Sequence, residues 1–438
     1  MKYIVPVFGT VAAVALFAFS NFNSGSAVAA ETSKKVDIYK QLQLFPDVLA
    51  RVRADYVVDV QDDLLIEDAI NGMLQSLDPH SSYMNAEAFR DMQNVTAGEY
   101  GGLGMEVTSD SGFVKIIAPI DNTPAYKAGI KAGDYITEID GDSLIGMSLT
   151  EAVEQMRGKP GEPITVTVVR KDEEPMEITM VRAIIPQNRA TYKIQDGIPV
   201  IRISQFNEKT ESSMISAITA ARKDLGGRVP GLVLDLRRNP GGLLDQSIKV
   251  SSAFLNGGDV VSTRGRRAND VQEYGAEKGE LLKDVPVVVI IDNASASASE
   301  IVAGALQDRG RGLVIGATSF GKGSVQSIIP LEGGRQGAIR LTTQRYYTPS
   351  GRSIQGTGIE PDIFVSATPK DSDAGKSFRE SDLPNAIKNE LEAAEADAVE
   401  AVVEYPPEGF DEDGDFQLDK AIEILKSGRY KTLMAAAG

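Results

Sequence analysis

Val287-Val-Val-Ile-Ile-Asp-Asn-Ala-Ser-Ala-Ser-Ala-Ser-Glu300 is the stretch on which the reading of this 438-residue chain turns. Val287 to Ile291 is a short apolar run rich in β-branched residues, the signature of a buried strand. Ile301, Val302, Ala305 and Leu306 then recur at helical spacing. Ser295, Ser297 and Ser299 therefore fall where a strand turns into a helix. Backbone N–H groups are unpaired at that end and the macrodipole is positive, so a hydroxyl there stands beside ready-made donors for an anion. Hydrolases place a nucleophile on such a turn. A serine at the same place also serves as a plain helix cap.

Downstream, Gly312-Leu-Val-Ile-Gly316 reads as another strand, followed by Ala-Thr-Ser-Phe-Gly321-Lys322-Gly323-Ser-Val-Gln326. A lysine between two glycines is an unusual surface residue and a poor strand residue. Glycines on both sides let the backbone approach a neighbour closely. Lys322 followed by Gln326 suits a base held by an amide.

The Ser-Ala-Ser-Ala-Ser-Glu-Ile run and the Phe-Gly-Lys-Gly-Ser-Val-Gln element together resemble the carboxyl-terminal processing peptidases, or tail-specific proteases. The likeness extends over most of the chain after residue 35. It implies that Ser297 is the nucleophile, Lys322 the general base, and Gln326 the residue that orients the lysine. It also implies a multidomain α/β and α+β protein, with an α/β protease core of crotonase-like, ClpP type, an inserted PDZ domain and a helical amino-terminal region.

Composition sets independent bounds. The chain has no cysteine, which excludes a thiol nucleophile, a disulfide framework and a Cys-ligated metal. Its one histidine, His80, excludes a multi-histidine metal site. A formal charge of −17 argues against a nucleic-acid partner, which calls for a basic face.

Residues 1–30 carry one early lysine, an apolar run from Ile4 to Phe19 and a small-residue end containing Ala27-Val28-Ala29, the pattern of an export signal. The run is shorter than the roughly 20 residues of a spanning helix. An uncleaved anchor is the alternative. Either way the expected place of the body is the periplasm or cell envelope. Over 36–98, Leu42, Phe45, Leu49, Val52 and Tyr56 form one helical stripe, and Ile66, Ile70, Met73 and Leu74 a second. Both are expected to be core or dimer-contact faces. Asp78-Pro79-His80-Ser81-Ser82-Tyr83 breaks the pattern as a turn. His80, far from Ser297 in sequence, is assigned a structural role.

Over 99–183 the character changes to short alternating strands and glycine turns, and the ordered set resembles a PDZ domain. Its expected peptide-binding residues are Gly102, Leu103, Gly104 and Met105. Successive N–H groups in such a loop bind a terminal carboxylate, and the adjoining strand edge accepts an extended peptide. Strands alternating with helices over 184–366 indicate an α/β core with much of its sheet parallel. Arg238-Asn239-Pro240-Gly241-Gly242 follows the strand Leu232-Val-Leu-Asp-Leu-Arg237 and places free N–H groups at the sheet edge that bears the serines. The resemblance assigns the oxyanion hole to Ala298 and Gly242, with Gly241 as the fallback. The rest, 367–438, is an acidic linker with helices, of which Phe416 to Leu425 is amphipathic and suited to dock on the body.

Serine needs a base to take its proton, and a lysine serves when burial keeps it neutral. No metal, nucleotide or other cofactor is expected. Two rivals stand beside this reading. Gly316 to Lys322 begins a phosphate-binding loop, but Gly323 stands where magnesium binding needs Ser or Thr. A catalytically silent PDZ adaptor or chaperone would keep the fold without the chemistry. The partners expected are protein or peptide substrates with exposed tails, an activating adaptor and a second copy of the chain.

Overall fold

The computed structural model describes residues 24–110, 112–120, 122–171, 173–186, 189–370, 378–390, 403–411 and 414–437. The apolar run Ile4–Phe19 lies outside them. Among the described residues no helix is long and apolar enough to cross a membrane. The chain divides into two units, Met1–Asp68 and Ala69–Gly438.

From Ser24 onward the described part of the first unit is mostly helical, as its periodicity predicts. One helix runs Ser24–Asp55, and a second begins at Asp62. The stripe expected to be core or interface is not core: Leu42, Phe45 and Tyr56 are all exposed. Burial needs a second apolar layer as well as an apolar stripe, so periodicity alone does not secure it.

In the second unit, five antiparallel strands and one short one form the sheet of the PDZ region, with Met105–Asp110 at its edge. Ile164, Val166 and Val168 point inward from the strand Pro163–Val169, against a core that includes Leu103, Ile116, Ile136 and Met180. The helix Leu149–Met156 starts with a reciprocal cap between Ser148 and Glu151. Glu99–Gly102 pairs antiparallel with Ala183–Pro186, so the two ends of the region leave side by side.

The larger core is a seven-stranded sheet in the order Ala190–Gln195, Ile198–Ile203, Leu232–Asp235, Val287–Ile291, Leu313–Gly316, Ile363–Val365, Val403–Glu404. Only the first pair is antiparallel. Val287–Ile291 lies at the centre and is buried throughout. Strand alternation divides its side chains between two apolar layers. Val287, Val289 and Ile291 pack with residues of the helices Thr210–Asp224, Leu244–Ser252 and Ala298–Asp308. Val288 and Ile290 pack with Leu418, Ala421 and Ile422 of the helix Phe416–Lys426. A parallel sheet needs cover on both faces, and the carboxyl-terminal helix supplies the second. The docking expected of that segment is therefore observed.

A second, antiparallel sheet carries Ala338–Tyr347 between Ser82–Met84, Asp259–Gly265 and Ser324–Pro330. That one long strand brings the turn around His80 to the segment holding Lys322 and Gln326.

Candidate active site

The three serines meet different fates at the strand-to-helix turn. Ser295 Oγ donates to the Leu236 carbonyl at 2.9 Å, and Ser299 Oγ to the Asn239 carbonyl at 2.9 Å. Both are fully buried. Ser297 keeps a little exposure and lines a cavity of about 1270 Å³ together with Gly242, Lys322, Gln326, Arg340 and His80. It caps the helix Ala298–Asp308 with φ 55° and ψ −113°. A non-glycine residue in that region stores roughly 1–3 kcal/mol of strain, held by its surroundings.

The holding group is Glu300. Its Oε2 accepts the backbone N–H of Ser297 at 2.6 Å and that of Lys322 at 2.9 Å. Its Oε1 accepts Gly321 N–H at 2.7 Å and the Ser319 hydroxyl at 2.6 Å. One buried carboxylate thus ties the serine turn to the Gly-Lys-Gly loop. Burial pushes the Glu300 carboxyl up to about 7, against those four hydrogen bonds, which favour the charged form.

Burial also lowers the Lys322 ammonium from its ordinary value. Glu380 opposes that shift, and Arg340 adds to it. Gln326 Nε2 donates to Ser324 Oγ at 2.9 Å and Thr342 Oγ1 at 3.3 Å, which leaves Oε1 as the atom able to accept from an amine. Among the described residues no hydrogen bond joins the Lys322 side chain to Ser297 or Gln326. The three residues share one cavity without direct contact between their polar ends.

The Arg238–Gly242 loop is fastened to the serine turn through Asn239. The Asn239 carbonyl accepts Ala296 N–H at 3.0 Å, and its side-chain oxygen accepts Gly241 N–H at 2.9 Å. Gly241 N–H is therefore spent. Among the described residues, Gly242 N–H and Ala298 N–H make no hydrogen bond to the protein. Neither glycine tolerates a side chain: a Cβ on Gly241 would come within 2.8 Å of Ser297 Cβ, and one on Gly242 within 2.0 Å of the Phe206 carbonyl oxygen.

Several residues at the site carry no motif of their own. His80 lines the cavity, and its Nε2 lies 2.8 Å from Glu380 Oε1, so the structural residue of the sequence reading stands at the edge of the chemistry. Asp78 accepts from His80 N–H, Ser81 N–H, Ser81 Oγ and Thr342 Oγ1. Those bonds outweigh burial and hold its carboxyl below the usual range. Burial raises the Tyr346 hydroxyl, and the residue lines the cavity with Ser297. Glu300 had a sequence signal, since Ser-x-x-Glu is the spacing of a reciprocal helix cap.

In the PDZ region Leu103 is buried and its carbonyl accepts Ala125 N–H at 2.9 Å. Gly104 has φ 76°, and a Cβ there would lie 2.3 Å from Thr123 Cβ. Gly102 ends the strand paired with Ala183, and Met105 opens the edge strand. That strand has a partner on one side only.

Residues 197–365 match peptidase family S41, residues 115–170 a PDZ domain, and residues 7–88 the N-terminal domain of the activating protease CtpB. A carboxy-terminal-processing protease of Bartonella bacilliformis is 50% identical over 403 residues, 90% of each chain. A probable CtpA-like serine protease of Staphylococcus epidermidis is 34% identical, over 74% of this chain and 65% of that relative. The solved photosystem II D1 C-terminal processing protease is 28% identical, with 75% of this chain and 94% of that one covered at a TM-score of 0.43. Half-identity along nine-tenths of both chains leaves no room for a different lineage, and the chain belongs to the carboxy-terminal-processing proteases of peptidase family S41, a serine-type peptidase carrying a PDZ domain.

Proposed function

We propose that the protein is an endopeptidase that cuts exported proteins near their carboxyl termini with a Ser297–Lys322 dyad assisted by Gln326. The observation that carries this reading is the position of Ser297: it alone of the three serines lines the cavity, beside two unspent N–H groups and a lysine whose proton affinity burial has lowered. Neutral Lys322 takes the Ser297 proton as Oγ attacks the peptide carbonyl. Gly242 and Ala298 N–H groups hold the oxyanion, a contribution of roughly 3–4 kcal/mol per donor. Lys322 then passes the proton to the departing amine, and water releases the acyl group from Ser297. Gln326 Oε1 steadies the amine without adding charge. Among the described residues no group of acidic or histidine side chains is arranged to hold a metal ion, and each step uses only this chain's own groups and water.

The PDZ region selects the substrate. Leu103, Gly104 and Met105, following Gly102, receive the terminal carboxylate, and the edge strand Met105–Asp110 pairs with the tail. The export pattern in residues 1–30 supports a place in the periplasm or envelope. The exposed apolar stripe of the first unit suits a second copy of the chain or an adaptor. Cleavage of casein by the purified chain, with Ser297→Ala and Lys322→Ala beside it, tests the dyad. Loss in both variants with folding intact supports it, and activity surviving in both overturns it.

A further inference from the structure

We infer that Arg340 recognises a carboxylate on the departing side of the substrate, either the terminal carboxylate or an acidic side chain close to it. The inference rests on the dyad proposed above and adds a specificity residue to it. Arg340 lies in the strand Ala338–Tyr347, opposite Ser82 on one side and Ile328 on the other, and lines the cavity with Ser297 and Lys322. Strand alternation puts it on the same face as Thr342, whose hydroxyl takes the Gln326 amide. The residue that protonates the leaving amine must stand on the leaving side of the scissile bond. The groups clustered with Lys322 and Gln326 therefore border the departing segment.

What marks Arg340 is its lack of an acid. Other sheltered arginines have acceptors: Arg170 has Asp134, Arg237 has Asp235 and Asp415, Arg311 has Glu280, and Arg182 has the carbonyls of Gln155, Met156 and Pro163. Among the described residues Arg340 forms no ion pair, and its one hydrogen bond is a long contact, 3.9 Å, from Nη2 to Met84 Sδ. The acid in the cavity wall, Asp245, is engaged with Lys249 at 3.6 Å. A guanidinium kept inside a cleft without a counter-ion is costly unless an incoming anion completes it. Its planar fork matches a carboxylate with two parallel hydrogen bonds. Charge beside Lys322 also helps keep the amine neutral, an effect that acts on every substrate alike.

The two effects separate experimentally. A casein-derived peptide cut by the full chain is made with a free carboxyl terminus, with an amidated terminus, and with Gln in place of Glu in the departing segment. For the carboxylate that Arg340 reads, wild type should lose roughly tenfold or more in kcat/KM when it is neutralised, as one charge-assisted contact predicts. In Arg340→Gln that ratio should fall toward one, with Arg340→Lys between. Preference conferred by the PDZ region survives Arg340→Gln, because that site is elsewhere. A ratio unchanged in Arg340→Gln, with all three peptides slowed alike, overturns the inference while leaving the dyad standing. If Ser297→Ala cuts as well as wild type, the dyad fails instead. Binding of the released peptide and its amide to Ser297→Ala, with and without Arg340→Gln, then decides: an Arg340-dependent preference for the acid supports the inference, and equal preference overturns it.

Discussion

The Glu300 carboxylate accepts the backbone N–H of Ser297 at 2.6 Å, and the same oxygen accepts that of Lys322 at 2.9 Å. The serine turn and the lysine loop are separate segments after different strands, so this shared acceptor fixes their spacing. Glu300→Gln keeps the shape but must turn a donor toward two of the four donors that converge there. Activity should fall at least tenfold, and stability by about 1–3 kcal/mol, the cost of leaving buried donors unmatched. A variant with wild-type kcat/KM and an unchanged urea midpoint would remove Glu300 from its positioning role.

The same residue gives a pH signature for stability. Its folded-state value, near 7, lies above the ordinary 4.5, so the folded chain holds the proton more tightly than the unfolded chain. Stability from this group is present below the ordinary value and is lost as pH rises toward 7, by an amount on the order of 3 kcal/mol. Asp78 has the opposite sign: its lowered value gives stability that is lost as pH falls through the acid range. Urea unfolding of wild type and Glu300→Gln across roughly pH 5 to 8 isolates the first effect. The difference between the two proteins should narrow as pH rises. A constant difference would sink the assignment.

Catalysis should titrate on the lysine. With Lys322 lowered by burial, kcat/KM should rise with pH along a limb whose midpoint lies below the ordinary 10.5. Glu380 is the strongest charge acting against that shift. Glu380→Gln should move the limb toward acid, because removing the negative charge makes the ammonium easier to deprotonate. His80 loses its carboxylate partner in this variant, so His80→Gln serves as the control for that bond. Movement toward alkaline pH in Glu380→Gln would contradict the arrangement.

Much of this was written in local sequence. The run from Val287 to Ile291 and the helical spacing after Ser299 placed the turn. Residues brought in by long-range pairing were not legible. Glu380 and Arg340 reach the cavity region through loop packing and sheet register, and nothing in their neighbours along the chain announces it. The stripe of Leu42, Phe45 and Tyr56 shows the converse limit. Periodicity declared the helix, but burial depends on a partner surface that a pattern cannot name.

The loop that leads to Gly242 is anchored by the carboxyl-terminal part of the chain. Arg237, just beyond the strand Leu232–Asp235, donates Nη1 to Asp415 Oδ1 at 2.7 Å and Nη2 to Asp415 Oδ2 at 2.8 Å, at the start of the helix Phe416–Lys426. Asp235 braces the same guanidinium at 2.9 Å. The carboxyl-terminal helix therefore grips the base of the loop whose Gly242 lines the cavity. Asp415→Ala removes a bidentate partner from a sheltered arginine. Because Asp415 is itself partly exposed, the cost should be about 1–3 kcal/mol, below the value for breaking a fully buried pair. Kinetics separate a general weakening from a specific effect on the loop. If the grip positions Gly242, kcat should fall several-fold at temperatures where the variant remains folded, with KM little changed. Gly242→Ala, whose Cβ would collide with the Phe206 carbonyl, sets the far end of that scale at roughly a hundredfold or more. A destabilised Asp415→Ala with wild-type kcat would make the helix a cover for the sheet and nothing more.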